Sequence, residues 1–251
     1  MKKRYKITLE YLGTNFKGWQ KQKTSISLQE TFEKAARNFF LEDVKTFVAG
    51  RTDSGVHAAG QVLHLDATKN IPKEKILLGI NFHLLNEPLG DQMAIKKVVI
   101  VNRKFNARFS AKKKIYQYII LNDHIRSPLI SNISWMEKKE LNLKKMRLAS
   151  SFFLGKHDFS SFRSKGCQSS SPVKTIDNIL ITRKNKLIKI NFFAKSFLYN
   201  QVRIMVGTLR DVGLGKKQPE DINYIIKKRD RSFAGVTAPS KGLSLLKVQY
   251  K

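Results

Sequence analysis

Within its first stretch of about 40 residues the chain changes hydrophobic period from two to about 3.6, and the same change recurs in its second half. Tyr5, Ile7, Leu9 and Tyr11 alternate with Lys6, Thr8 and Glu10, the pattern of a strand with one buried face. Past a loop through Lys17-Gly18-Trp19-Gln20, Leu28, Phe32, Ala35 and Phe39 recur at helical spacing. Ser27 and Glu30 form a capping box at the start of that helix. Short strands at Val44–Val48 and Gln61–Leu65, a helix opened by Pro72 and a strand at Met93–Val101 complete the order βαββαβ. The second half repeats it with a strand near Ile115–Leu121, a helix near Leu143–Leu154, and strands near Ile176–Thr182 and Leu187–Phe193. A helix from about Leu198 to Val212, an extra one after Pro219 and a strand at Leu245–Tyr250 finish that copy. The pattern predicts an α+β fold of two tandem ferredoxin-like (βαββαβ) units, residues 1–104 and 105–251, sharing a largely antiparallel sheet with helices on one face. This arrangement hosts many activities, so the function must be argued from the site.

Charge narrows the partner. Across 251 residues, 48 Lys and Arg stand against 19 Asp and Glu, a formal net charge of +29. A field of that sign suits a polyanion, although part of the lysine excess fits a compositional habit, and charge does not choose between RNA, DNA and an acidic membrane. The basic start, Met1 to Lys6, leads into alternating residues instead of an apolar signal region, and no window approaches a membrane span. The expectation is a soluble, cytoplasmic protein. Cys167 is the single cysteine, which excludes internal disulfides and a multi-Cys zinc site. His57 and His64 have no second His or acid at ligand spacing, so no metal is expected, and a structural or RNA-contacting role fits them better.

The segment Gly50-Arg51-Thr52-Asp53-Ser54-Gly55-Val56-His57-Ala58 falls where one predicted strand ends and another has not begun. A loop held at both ends is a common place for catalytic groups. Local pattern alone favours an Asp that caps the turn and pairs with Arg51. Runs such as Lys112-Lys113-Lys114 and Lys227-Lys228-Arg229 are candidate phosphate contacts.

Together with this loop, several segments resemble the TruA family of tRNA pseudouridine synthases in order and spacing: Phe16–Gln20, Phe105–Ala111, Tyr116–Ile120, Gly155–Phe162, Phe197–Arg203 and Gly242–Leu245. The resemblance implies a homodimer that converts uridine to pseudouridine at nucleotides 38, 39 and 40 of the tRNA anticodon stem-loop, with no metal or cofactor. It also implies that Asp53 is the essential carboxylate, either a nucleophile at C1′ or a base that removes the 2′ hydrogen. Arg203 matches the arginine that pairs with this Asp, and Tyr116 the tyrosine that lies against the uracil. Arg51 is expected to help extrude the target nucleotide, because the reacting atoms are inaccessible inside a stem. Lys17, Trp19, Gln20, Lys112 and Lys113 are candidate RNA contacts, with buried packing an equal alternative for Trp19. Phe159 and Phe162 read as core anchors, and Cys167 matches a family position without assigned chemistry. The chain departs from the family at Gln201, where methionine is common, and over Asn81–Asp91, which reads as a longer and less regular connection.

Two other classes fit less well. A tandem RNA-recognition protein would carry aromatics on its central strands, and Gln61-Val62-Leu63-His64-Leu65 has none. A methyltransferase or metal nuclease would need a Gly-rich nucleotide loop or clustered carboxylates, and neither is present.

Overall fold

A computed structural model describes residues 2–250. It has a mixed α+β fold with five α-helices among the described residues and mostly antiparallel strands. The chain separates into two compact units: residues up to Lys112 together with the chain from Leu245 onward, and Lys113–Ser244.

The first unit contains β1 (Lys3–Tyr11), α1 (Leu28–Phe40), β2 (Phe47–Val48), β3 (His57–Ala67), α2 (Lys73–Leu84) and β4 (Met93–Val101). Strand order runs β4-β1-β3, with both pairings antiparallel and β2 attached to β3 at Leu63 and His64. β10 (Leu243–Gln249) also borders β3, and Gly60 permits it, since a Cβ there would stand 2.3 Å from the Leu246 carbonyl oxygen. The alternating Tyr5, Ile7, Leu9 and Tyr11 are all buried, and α1 covers that layer with Phe32, Ala35, Ala36 and Phe40. Ser27 accepts the Glu30 backbone N–H as the α1 N-cap, while the Glu30 carboxylate turns to Lys34 at 3.1 Å.

The second unit contains β5 (Lys113–Asn122), β6 (Trp135–Glu137), α3 (Leu143–Ser151), β7 (Gly155–Asp158), β8 (Val173–Lys184), β9 (Leu187–Ala194), α4 (Gln201–Gly213) and α5 (Asp221–Lys228). Its strands run β5-β9-β8-β7, all antiparallel, and β6 adds in parallel to β5. α4 is the central helix, with Val202, Met205, Val206, Leu209 and Val212 buried. Phe153, Phe159 and Phe162 pack ring to ring beneath the β7 end, so the latter two are core anchors as expected.

The expected boundary after residue 104 moves to 112 for an identifiable reason. His64 Nδ1 accepts the Ala107 N–H, Tyr250 donates its hydroxyl to the Ala107 carbonyl, and the Lys112 N–H reaches the Gln249 carbonyl at 2.8 Å. Arg4 adds bonds to the Arg103 and Phe105 carbonyls. Residues 105–112 and the last strand are thereby tied to the first unit. β3 begins at His57 instead of Gln61, which ends the preceding loop at Val56. Asn81 is still helical: its side-chain amide clips to both backbone groups of Ile95, at 2.7 and 3.0 Å, so the irregular stretch starts only after Leu84. The short strands β6 and β7 lack the length for a visible alternation, and the sequence pattern does not predict them.

Candidate functional site

The Asp53 loop is held from three sides, all within the first unit. From below, the Thr52 hydroxyl meets the buried Tyr11 hydroxyl at 2.8 Å, and Gln61 donates to both the Tyr11 oxygen and the Gly50 carbonyl. Burial pushes the Tyr11 hydroxyl up to about 12, with the hydrogen bonds from Thr52 and Gln61 pulling the other way, so it stays a neutral strut. From the side, Trp19 N–H reaches the Thr52 carbonyl at 3.0 Å, and Gly55 N–H and the Ser54 hydroxyl both reach the Phe16 carbonyl. Within the loop, Val56 N–H closes a turn on the Asp53 carbonyl.

Three glycines make this fit possible. Gly55 turns the chain with φ +76°. Gly18 has φ +89°, and a Cβ on it would lie 2.9 Å from the Thr52 carbonyl oxygen and 3.3 Å from the Asp53 carbonyl carbon. Gly13 passes still closer, where a Cβ would lie 2.0 Å from the Val56 oxygen, and its N–H donates to His57 Nδ1. The outcome is a half-buried Asp53 beside an exposed Arg51 on a short, braced loop.

In the second unit, β5 alternation puts Tyr116, Tyr118 and Ile120 on one buried face. The Phe197 ring stands edge-on to Tyr116 at 5.3 Å. Tyr118 donates to the Pro239 carbonyl at 2.8 Å; burial pushes its hydroxyl far up, while the charge of Arg203 draws it back. Arg203 is thus a neighbour of that tyrosine face. Its Nε donates to the Ala238 carbonyl and its Nη1 to Asn200 Oδ1, each at 2.7 Å. Asn200 itself sits at φ 59° before α4 and passes its amide hydrogen to Ser164 Oγ at 2.9 Å. Gln201 is almost fully buried, and its Oε1 accepts the Leu198 N–H, which tightens the turn into the helix.

The remaining expected residues divide by exposure. Lys17, Gln20 and Lys112 are exposed, and Lys113 is half-buried beside Asp177 at 3.2 Å. Trp19, a candidate RNA contact, is 2 % exposed and packs its ring near Tyr11, so its indole supports the Asp53 loop from inside instead of offering a face to RNA. His57 and His64 are buried acceptors of backbone N–H groups, a structural role. Cys167 Sγ is within 3.5 Å of the Tyr199 N–H. No three His, Cys, Asp or Glu side chains converge as a metal cluster among the described residues, and no helix among them is long and apolar enough to cross a membrane. Sequence reasoning missed Tyr11, Thr52, Gln61, Asn200 and Ala238. Asn200 directly before an apolar helical run was the one available signal, as a cap.

A tRNA pseudouridine synthase family profile matches residues 149–251. Proteins named tRNA pseudouridine synthase A are similar over nearly the whole chain. That of Ehrlichia chaffeensis is 47% identical over 98% of this chain and all of its own length. The Wolbachia pipientis protein is 46% identical and that of Anaplasma phagocytophilum 44%, each with 98% of this chain and the whole relative covered. Similarity at this level, end to end in both partners, means that the chain belongs to the tRNA pseudouridine synthase A family of isomerases.

Proposed function

We propose that this protein isomerises uridine to pseudouridine at positions 38, 39 and 40 of the tRNA anticodon stem-loop, with Asp53 as the nucleophile. The observation that carries the reading is a carboxylate on a loop braced by Tyr11, Thr52, Gln61 and Gly18, in a chain of this family. Rigid mounting is what an attacking group needs, because a displacement of about 1 Å costs on the order of 100-fold in rate.

The step balances without an outside reagent. An Asp53 oxygen bonds to C1′ as the N1–C1′ bond breaks and the uracil leaves with the electron pair. The uracil turns, and C5 attacks C1′, displacing the carboxylate. C5 then loses its proton and N1 gains one. Tyr116 lies against the uracil while it is detached. Arg203 supplies the countercharge to the carboxylate. Arg51 assists extrusion of the nucleotide, and Lys17, Gln20, Lys112 and Lys113 contact the RNA strand. The protein works as a cytoplasmic homodimer without metal or cofactor. Strand order β4-β1-β3-β2, with helices after β1 and β3, supports a ferredoxin-like first unit. The β5-β9-β8 order, with α3 after β5 and α4 after β9, supports the same for the second.

The test uses tRNA labelled with tritium at uridine C5. Release is expected from tRNA with uridine at positions 38–40 and is expected to vanish when those uridines become cytidines. Release persisting from the substituted tRNA overturns the positions. Firm tRNA binding with no release at all favours a non-catalytic RNA-binding protein.

The brace makes its own prediction. Gly18→Ala places a methyl group against the Thr52 carbonyl at a φ that disfavours side chains. Turnover is expected to fall about 100-fold. Stability is expected to fall by about 1–3 kcal/mol, seen as a lower Tm in a thermal melt. Turnover within twofold of wild type would show that loop placement is not limiting.

A further inference from the structure

Outside the residues assigned above, the second unit holds an open cavity of about 490 Å³ whose lining includes Arg163, Lys165, Arg229 and Arg231. Asp230 is the one acid in that lining, and its carboxylate is occupied in capping the Ser232 N–H at 2.8 Å. Asp158, just below, pairs with Arg229 at 3.3 Å; burial acts to raise its carboxyl, but bonds from Ser160 and the charges of Arg229 and Arg163 outweigh that and hold it down. Positive charge remains in excess after both acids are counted. Arg231 is half-buried, and burial lowers its guanidinium from the usual value; it donates to the Ala234 carbonyl and the Thr237 hydroxyl, neither of them an anion. A partly desolvated guanidinium in a polar, cation-lined cavity favours an anionic ligand.

The cavity is also wired to Arg203 by two short routes inside the same unit. Ser164, on its wall, accepts from Asn200 Nδ2, and Asn200 Oδ1 accepts from Arg203. Arg231 pins Thr237, and the next residue, Ala238, exchanges backbone bonds with Arg203 by accepting from Nε and donating its N–H to the Arg203 carbonyl. Anything seated among these cations therefore lies two hydrogen bonds from the Arg203 guanidinium.

We infer that this cavity is a phosphate subsite that takes the RNA backbone flanking the target nucleotide, a role that rests on the proposed reaction for its substrate. Its volume suits a sugar–phosphate segment, and the links through Asn200 and Ala238 place a seated backbone close to Arg203.

The test compares Arg163→Gln/Lys165→Gln with a control of equal charge change, Lys184→Gln/Lys189→Gln, at two exposed positions of the β8–β9 hairpin. Binding of an anticodon stem-loop RNA is measured across salt concentrations, beside KM and kcat for tRNA and a thermal melt. The cavity variant is expected to weaken binding about 10-fold and to reduce the slope of log K against log salt by about 0.7–0.9 for each phosphate that is no longer neutralised. KM should rise in step while kcat stays within about twofold, because the binding removed is uniform between ground and transition states. Lys165→Glu, at an exposed position, should show the same direction if the double variant melts early. Binding and slope unchanged, or altered equally in the control, overturn the subsite. Turnover absent from wild type overturns the isomerase reading instead, since the binding comparison stands without it.

Discussion

Asp53→Asn is expected to reduce tritium release by about 10⁴-fold or more, while tRNA affinity stays within about threefold and the fold is unchanged. The substitution keeps shape and removes the nucleophilic charge. The Thr52, Ser54 and Gln61 side chains and backbone groups of Gly50, Thr52, Asp53 and Gly55 brace the loop, and these contacts survive the change. Asp53→Ala should give the same loss. A variant retaining a tenth of wild-type turnover would remove Asp53 from the bond-making step. A variant that loses both turnover and tRNA binding would assign it to recognition instead.

What made this loop readable in the sequence was limited and specific. The period-two run Tyr5 to Tyr11 and the helical run from Leu28 were strong because each buries a face, although Phe40 and not Phe39 closes the buried side of α1, and β4 emerged with its predicted ends. β2 shrank to Phe47–Val48, since a strand attached to its neighbour at two positions has little pattern to display. The brace under Asp53 was invisible for a different reason. Tyr11 looked like the last apolar residue of a strand and Gln61 like an ordinary polar one, yet both are buried partners in one hydrogen-bond network. Periodicity reports burial of apolar faces and is silent on polar groups that are buried because they are paired. Trp19 was open to two readings, RNA contact and buried packing, and its backbone bond to the Thr52 carbonyl and its ring beside Tyr11 decide for packing. The assignment proposed for Asp53, Tyr116 and Arg203 rests on the chain-wide resemblance, because nothing local distinguishes a nucleophile from a turn-capping acid.

Arg203→Lys should lower kcat by about 100- to 1,000-fold with tRNA affinity within about threefold, although the charge is conserved. The guanidinium is aimed by two bonds within its own unit, Nε to Ala238 and Nη1 to Asn200. These fix the plane of the fork and leave its direction no freedom. An ammonium on a flexible stem has no such plane; it can satisfy one of those acceptors and must leave the other or swing between them. If Arg203 acts as the countercharge to a carboxylate in the reaction, what is lost is orientation. The consequence should be seen in kcat more than in KM, and the cost to stability should be only about 1 kcal/mol. Two further variants separate aim from charge. Asn200→Asp keeps an oxygen for Nη1, and the αL backbone at φ 59° is one that Asp tolerates, so most turnover should survive. Asn200→Ala removes that acceptor and disfavours the backbone conformation, so kcat should fall by about 10-fold or more with Arg203 itself intact. Equal turnover in Arg203→Lys and wild type would exclude the fork from the chemistry, and an Asn200→Ala enzyme with full kcat would show that Ala238 alone suffices to aim it.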